Sequence, residues 1–388
     1  MKRQAGVYRN CSTAGETYRV YVPDPLPPAP PLELDSEHHD LMEKANRALG
    51  RLDGLTLLLP DTSLLLYFYV RKEALLSSQI EGTQSSFNDL LLFESDEIPG
   101  VPLDDVQEVS SYVAAMEHGL SRLRGGFPLS LRLIREIHEI LLSKGRGSNK
   151  DPGEFRRSQN WVGGTRPGNA TFVPPPSESL MECLGALEKF LHNDPVPTPV
   201  LIKAAMAHVQ FETIHPFLDG NGRLGRLLIT FLLCAEGAMN EPILYLSLYF
   251  KAHRQEYYDW LGKVRNDGDW EGWLKFFLTG VLETADQATQ SARLILNLFE
   301  ADRAKIEALK RATSSTFRAH QLMRAKPLLS IPQAAKNLGL TVPTVTQSLE
   351  ILQQLGIVRE ITGRKRGRLF GYSRYLDILS QGTEPLQR

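Results

Sequence analysis

Three cysteines in 388 residues, Cys11, Cys183 and Cys234, are too few and too scattered for a disulfide framework, and no Cys-x-x-Cys pair exists to hold zinc. Free thiols in a reducing compartment are the expectation. Long apolar runs are lacking as well. The most apolar stretch, residues 55–70, is broken by Pro60 and Asp61, far short of the ~18 apolar residues a membrane helix needs. The first residues, Met1-Lys2-Arg3-Gln4-Ala5-Gly6, lead into polar sequence and not into the apolar segment of a secretory signal. A cytoplasmic chain with no membrane partner is expected. Internal repeats are absent and β-rich segments are few.

What is present is an ordinary globular composition, 42% hydrophobic and 23% charged, which excludes wholesale disorder. At about 150 residues per domain the length implies two or three domains. Charge is balanced overall at −1 but not locally: residues 311–388 hold 12 basic against 4 acidic side chains, a local +8, leaving −9 on the rest. That asymmetry marks a separate C-terminal module able to meet a polyanion.

Residues 23–31 place six prolines in nine positions, so this stretch forms neither helix interior nor central strand and reads as an extended surface arm. From Ser36 to about Asn88, sets such as Leu41-Ala45-Leu49 and Val70-Ala74-Ser77-Ser78-Glu81 recur at helical spacing. Two further amphipathic helices fit within residues 104–143, separated by a turn at residues 124–128. Residues 144–176 are rich in glycine and proline around short apolar runs, which predicts a small hairpin or flap among helices. Helical periodicity resumes at about Ser179 and continues to about Lys310. Near the C-terminus, Ser330–Leu340 reads as a short helix stopped by Gly339, and Thr341 caps a second helix that runs through Leu355 to Gly356. Residues 357–361 and 368–372 read as two strands around a basic turn. This is the pattern of a winged helix-turn-helix, which serves for DNA binding, dimerisation or protein docking.

The chemistry is concentrated in residues 211–226. The helix carrying Leu201, Ala205, His208 and Phe211 must end near Pro216, which lacks an N–H and disfavours helical geometry in His215. Gly220, Asn221 and Gly222 tolerate positive φ, and consecutive amides in such a loop form an anion nest. A helix opens at that point, adding its dipole and the Arg223 and Arg226 guanidiniums to a phosphate cradle. Asp219 offers a hard oxygen to Mg2+, and His215 has the chemistry of a general base. Phosphoryl or nucleotidyl transfer follows from that combination. A second reading takes His208, Glu212, His215 and Asp219 as metallohydrolase ligands at spacings along one helical face; Pro216 breaks that face before Asp219, and two neighbouring arginines oppose a cation.

His215 through Arg226 resembles, at every defined position, the signature of the Fic family, His-Pro-Phe-x-Asp/Glu-Gly-Asn-Gly-Arg-x-x-Arg. The resemblance implies a mainly α fold: an all-helical Fic core with a small β-hairpin flap, followed by a winged helix-turn-helix. It divides the chain into a Pro-rich arm with helices (1–105), a catalytic core (106–290), a linker helix (291–312) and the winged module (313–388). It implies transfer of AMP from ATP to a Ser, Thr or Tyr hydroxyl of a protein. His215 would be the base and Asp219 the Mg2+ ligand. Gly220, Asn221, Gly222, Arg223, Leu224, Gly225 and Arg226 would cradle the nucleotide, with Tyr257, Tyr258 and Asn266 about the adenine. Val162, Gly163, Phe172 and Val173 would form the target-docking flap. Gly222 stands where a phosphorylating branch of the family carries lysine, which favours AMP transfer. Ser77-Ser78-Gln79-Ile80-Glu81-Gly82 resembles the family's inhibitory motif, with Ser77, Glu81 and Gly82 at its defined positions and Glu81 paired to Arg226. A homodimer, a bound duplex, or a DNA-binding regulator that only senses nucleotide are the further partner and function expectations.

Overall fold

A computed structural model describes residues 3–13, 15–58, 63–94, 101–309, 314–362 and 368–386. Its first element departs from the sequence expectation. Strands β1 (Gly6–Thr13) and β2 (Glu16–Pro23) form an antiparallel hairpin with Gly6 opposite Pro23 and Thr13 opposite Glu16. The signal was there: Tyr18 and Val20 are buried while Thr17 and Arg19 are exposed, the period of two expected for a half-buried strand. The proline arm follows, tied down by the Arg3 guanidinium, which donates to the carbonyls of Pro30 (2.8 Å) and Pro31 (2.7 Å).

The body is helical. Helices α1 (Ser36–Leu58), α2 (Ser63–Ile80), α3 (Phe87–Glu94), α4 (Leu103–Arg124) and α5 (Leu131–Leu141) precede the flap. Local chemistry sets their ends: α4 has Asp104 and Asp105 in its first turn and Arg122 and Arg124 in its last, and Ser130 caps α5 by accepting from the Leu133 amide. The flap between α5 and α6 contains one β-bridge in place of a regular hairpin. Val162 and Phe172 exchange both main-chain hydrogen bonds there, 2.8 and 3.1 Å. Tyr21 of β2 donates its amide to the Val173 carbonyl (2.9 Å), so the N-terminal hairpin braces the flap's return.

After the flap come α6 (Ser177–Leu191), α7 (Val200–Ile214), α8 (Asn221–Ala235), α9 (Ser247–Ala252), α10 (Arg254–Asp267) and α11 (Trp270–Glu307). At 38 residues α11 spans about 57 Å. It runs unbroken across residue 290, where the sequence reading separated core from linker, because no glycine or proline interrupts it there. Asp269 caps it by accepting from the Gly272 amide (2.9 Å). Against α11 lie α1 on one side and α7 on another, with Trp273 fully buried and its Nε1 donating to the Ala205 carbonyl (2.9 Å).

The C-terminal segment comprises α12 (Ser314–Ala325), β3 (Leu328–Ser330), α13 (Ile331–Leu338), α14 (Val342–Gln354), β4 (Arg359–Glu360), β5 (Leu369–Gly371) and α15 (Ser373–Leu379). Ser330 and Gln333 form a capping box on α13, Gly339 closes it with φ 61°, and Thr341 caps α14. The three strands order as β3-β5-β4. The basic turn with Arg364, Lys365 and Arg366 lies outside the described residues. Tyr375 of α15 sits edge-on between Phe68 of α2 (5.1 Å) and Phe299 of α11 (4.9 Å), so this segment packs on the helical body. Among the described residues no helix is long and apolar enough to cross a membrane.

Candidate active site

Helix α7 stops where the proline requires, and His215 takes a left-handed conformation, φ 48° and ψ 62°. The turn folds its ring back on the helix end, where Nδ1 lies 3.3 Å from the Glu212 carbonyl. A carbonyl only accepts, so Nδ1 carries the proton and Nε2 keeps its lone pair. Burial lowers the His215 pKa to about 4, which leaves the imidazole neutral at pH 7.

The loop after His215 is closed by its own side chains. The Phe217 amide donates to Asn221 Oδ1 (2.9 Å), and Asn221 Nδ2 donates back to the Phe217 carbonyl (2.8 Å). Asn221, expected in the anion cradle, thus spends its carboxamide on shaping the loop. The Phe217 ring is fully buried and stacked at 3.6 Å on His138 of α5. His138 accepts from the Gly153 amide at Nδ1 (2.9 Å), so its Nε2–H donates to the Asp219 carbonyl (3.0 Å). No sequence signal marked His138: a lone histidine on an amphipathic helix reads as core.

Gly220 opens α8 with φ 78°, and the first-turn amides that follow have no intrahelical acceptor. Asp219 Oδ1 accepts from the Gly220 amide (2.6 Å), and the side chain is 30% exposed. The two signature arginines diverge. Arg223 is buried against Glu108 of α4 (3.0 Å) and lies 3.5 Å from Asp219, turned away from the cavity that Arg226 lines. Arg226 donates from Nε to Ser77 Oγ (2.8 Å) and from Nη2 to the Ser77 carbonyl (2.9 Å) and Glu81 Oε1 (2.7 Å). Burial pushes the Glu81 carboxyl up, but Arg226, with Arg223 and Arg146, overrides it and holds the group below the ordinary carboxylate value. Gly82, at φ 103°, turns the chain just past the glutamate. A Cβ on Gly222 would stand 2.3 Å from Glu81 Oε1, so glycine is what lets the carboxylate reach Arg226.

A cavity of about 350 Å3 opens over these groups, with His215, Gly222, Arg226 and Glu81 on one side and Val162 and Phe172 of the flap on another. Helix α10 supplies Tyr257, Tyr258 and Arg265. Asn266 does not line it; it is exposed, and its Oδ1 accepts from Tyr8 (2.7 Å). The neighbouring Arg265 faces the cavity, its guanidinium 4.1 Å over the Phe172 ring. Tyr257 is also core: its hydroxyl meets His208 Nε2 (2.8 Å). Leu224 is buried in the core, and Gly163 lies outside the lining with φ 71° at the tight bend of the flap. Val173 packs with Tyr18 and Val20.

Glu212 lines the cavity unanticipated in this setting, with burial pushing its carboxyl to about 7 against the pull of Arg226. The metallohydrolase reading does not survive. His208 donates from Nδ1 to the Gly225 carbonyl (2.9 Å) and accepts from Tyr257 at Nε2, so neither nitrogen is free for a metal. Among the described residues no group of three His, Cys, Asp or Glu side chains could hold an ion.

Comparison with known proteins agrees with this geometry. Residues 39–121 match the family described as Fic/DOC family N-terminal, and residues 128–233 match the Fic/DOC family. The chain is 35% identical over 192 residues to Protein adenylyltransferase Fic of Aedes aegypti, covering 49% of this chain and 35% of that protein. It is 31% identical over 191 residues to the protein of the same name from Drosophila melanogaster, with the same coverage. The chain spans about a third of the length of the curated relatives it matches. A crystal structure of a Fic family protein from Desulfovibrio desulfuricans G20 superposes with a TM-score of 0.59 at 19% identity, over 89% of this chain and 98% of that one, and so shares the fold. Residues 128–233, which hold the signature loop folded onto its motif glutamate, are thus a Fic/DOC family domain, preceded over residues 39–121 by that family's N-terminal region.

Proposed function

We propose that the chain is a self-inhibited protein adenylyltransferase that moves AMP from ATP to a Ser, Thr or Tyr hydroxyl of a protein, itself included. One observation carries this reading: a neutral His215 and the Glu81–Arg226 pair line one cavity at the N-terminus of α8. The curated relatives, named as adenylyltransferases, support it. The hydroxyl oxygen attacks the α-phosphorus, its proton passes to His215 Nε2, and the bond to the β-phosphate breaks with release of pyrophosphate. The amides opening α8 hold the phosphate oxygens, and Arg226, once free of Glu81, takes the terminal phosphate. Asp219, partly exposed just before α8, would hold Mg2+, an ion that keeps its waters and phosphate oxygens. When bound, Mg2+ neutralises phosphate charge.

The test is incubation with α-labelled ATP, Mg2+ and cell lysate, following label on protein. Label should appear, and chelation of Mg2+ or Asp219→Ala should return it to background. Full labelling with Mg2+ chelated would remove Asp219 from the ligand role.

The segment from α12 to α15 serves in this reading as a winged helix for docking. Its support is the pair of capped helices α13 and α14 beside the β3-β5-β4 sheet, and the +8 charge of residues 311–388. Random duplex should bind the full chain weakly at low salt and be released in moderate salt, since neutralising phosphates frees counterions. A salt-resistant, sequence-selective complex in a fluorescence titration would instead favour the DNA regulator.

A further inference from the structure

His215 is one of three non-glycine residues at positive φ among the described residues. A side chain with a Cβ costs roughly 1–2 kcal/mol in that region, so surrounding groups must impose it. Those groups come from one short segment, residues 156–160. Arg156 donates from Nε to the His215 carbonyl (3.0 Å), from Nη2 to the Ile214 carbonyl (3.4 Å) and from its main-chain amide to the Pro216 carbonyl (2.9 Å). Asn160 Nδ2 donates to the carbonyls of His215 (3.1 Å) and Phe217 (2.8 Å). Every carbonyl from 214 to 217 is thereby held.

The same guanidinium reaches the other foot of the flap. Its Nη2 donates to the Pro175 carbonyl (2.5 Å) and its Nη1 to that of Ser158 (3.2 Å). Pro175 lies just past the Val162–Phe172 bridge and the Val173 anchor on β2. Arg156 is 3% exposed, and burial lowers its pKa to about 10, so a charged group is kept out of water to serve main-chain carbonyls. A lysine could supply neither the fork nor its reach to four separate carbonyls. Nothing in the sequence pattern distinguished Arg156 from the adjacent Arg157, which is exposed.

We propose that Arg156 is the positioning residue of the transfer reaction: its guanidinium joins the His215 carbonyl to the flap at Pro175 and keeps the base in register with the hydroxyl that the flap delivers. The inference rests on the reading of His215 as the base. Its test uses the full chain in the Glu81→Gly background, where transfer should be fastest.

Arg156→Lys should lower kcat about 100-fold, the cost of misplacing a catalytic group by about 1 Å, while the Kd for ATP stays within about threefold. Asn160→Ala, which leaves the Pro175 tie intact, should lose only about tenfold. Arg156→Ala should recover activity with added guanidinium but not with urea. An unchanged kcat in Arg156→Lys overturns the proposal. So does a joint loss of kcat, ATP binding and thermal stability in all three variants without guanidinium rescue, the mark of a merely structural arginine. If His215→Ala transfers as fast as the Glu81→Gly parent, the base reading itself falls, and this inference falls with it.

Discussion

Glu81→Gly should raise AMP transfer to protein more than tenfold, read as label from α-labelled ATP incorporated per minute. The carboxylate sits 2.7 Å from Arg226 Nη2, and the same guanidinium is held by Ser77 through both its hydroxyl and its carbonyl. A charge-assisted hydrogen bond contributes about 1.5–3 kcal/mol, which corresponds to roughly 10- to 150-fold in the population of Arg226 free to meet a phosphate. The carboxylate also places negative charge beside Gly222, where the proposed reaction brings the phosphate oxygens.

Stability should move the other way. The Glu81 pKa is lowered in the fold, so the pair contributes stability that is present above the unfolded-state value and lost as pH falls through the lowered one. At pH 7 the variant therefore loses that contribution and leaves Arg226 buried without its carboxylate, so it should melt at a lower temperature while working faster. A transfer rate equal to that of the parent chain would refute inhibition by this contact.

His215→Ala should reduce transfer to background in the Glu81→Gly chain while the Kd for ATP changes little. Positioned general bases contribute about 10²–10⁴-fold, and in the proposed reaction this one acts on the incoming hydroxyl, not on the nucleotide ground state. Its protonation also sets a pH signature. Burial lowers the His215 pKa to about 4, so the ring is neutral and competent above that value and protonated below it. The acid limb of kcat/KM, which reports the free enzyme, should fall near pH 4 and not near the 6.5 of a solvent-exposed histidine. Retained transfer by the alanine variant, or lost ATP binding with loss of fold, would show that the histidine is structural.

Several features were legible because they are local. Pro216 dictates the end of α7, Gly220 supplies the positive φ that opens α8, and Ser330, Gln333, Gly339 and Thr341 delimit α13 and α14 by short-range hydrogen bonds. The N-terminal hairpin was legible in principle, through the alternation of Tyr18 and Val20 with exposed neighbours, but the proline cluster that follows dominated the reading of that region. Asn266 shows that helical facing is set by packing. One step along a helix turns a side chain by about 100°, enough to put Arg265 over the cavity and Asn266 against Tyr8.

By itself, then, the sequence determined the helical class, the chemistry of the His215–Arg226 loop and the motif that places Glu81 where Arg226 can find it. Tertiary structure decided how those groups are divided. Arg223 and Arg226 are equivalent side chains three residues apart, yet one is drawn to Glu108 on α4 and the other to Ser77 and Glu81 at the end of α2. Likewise His138, Arg156 and Asn160 became part of the site only when α5 and the flap were folded against the loop. Propensities, caps and turns act over a few residues and can be read along the chain. A buried charge or main-chain carbonyl must instead be met by whatever partner packing brings to it, however distant in sequence, because leaving it unmet in a dry interior costs more than the ordering of the partner.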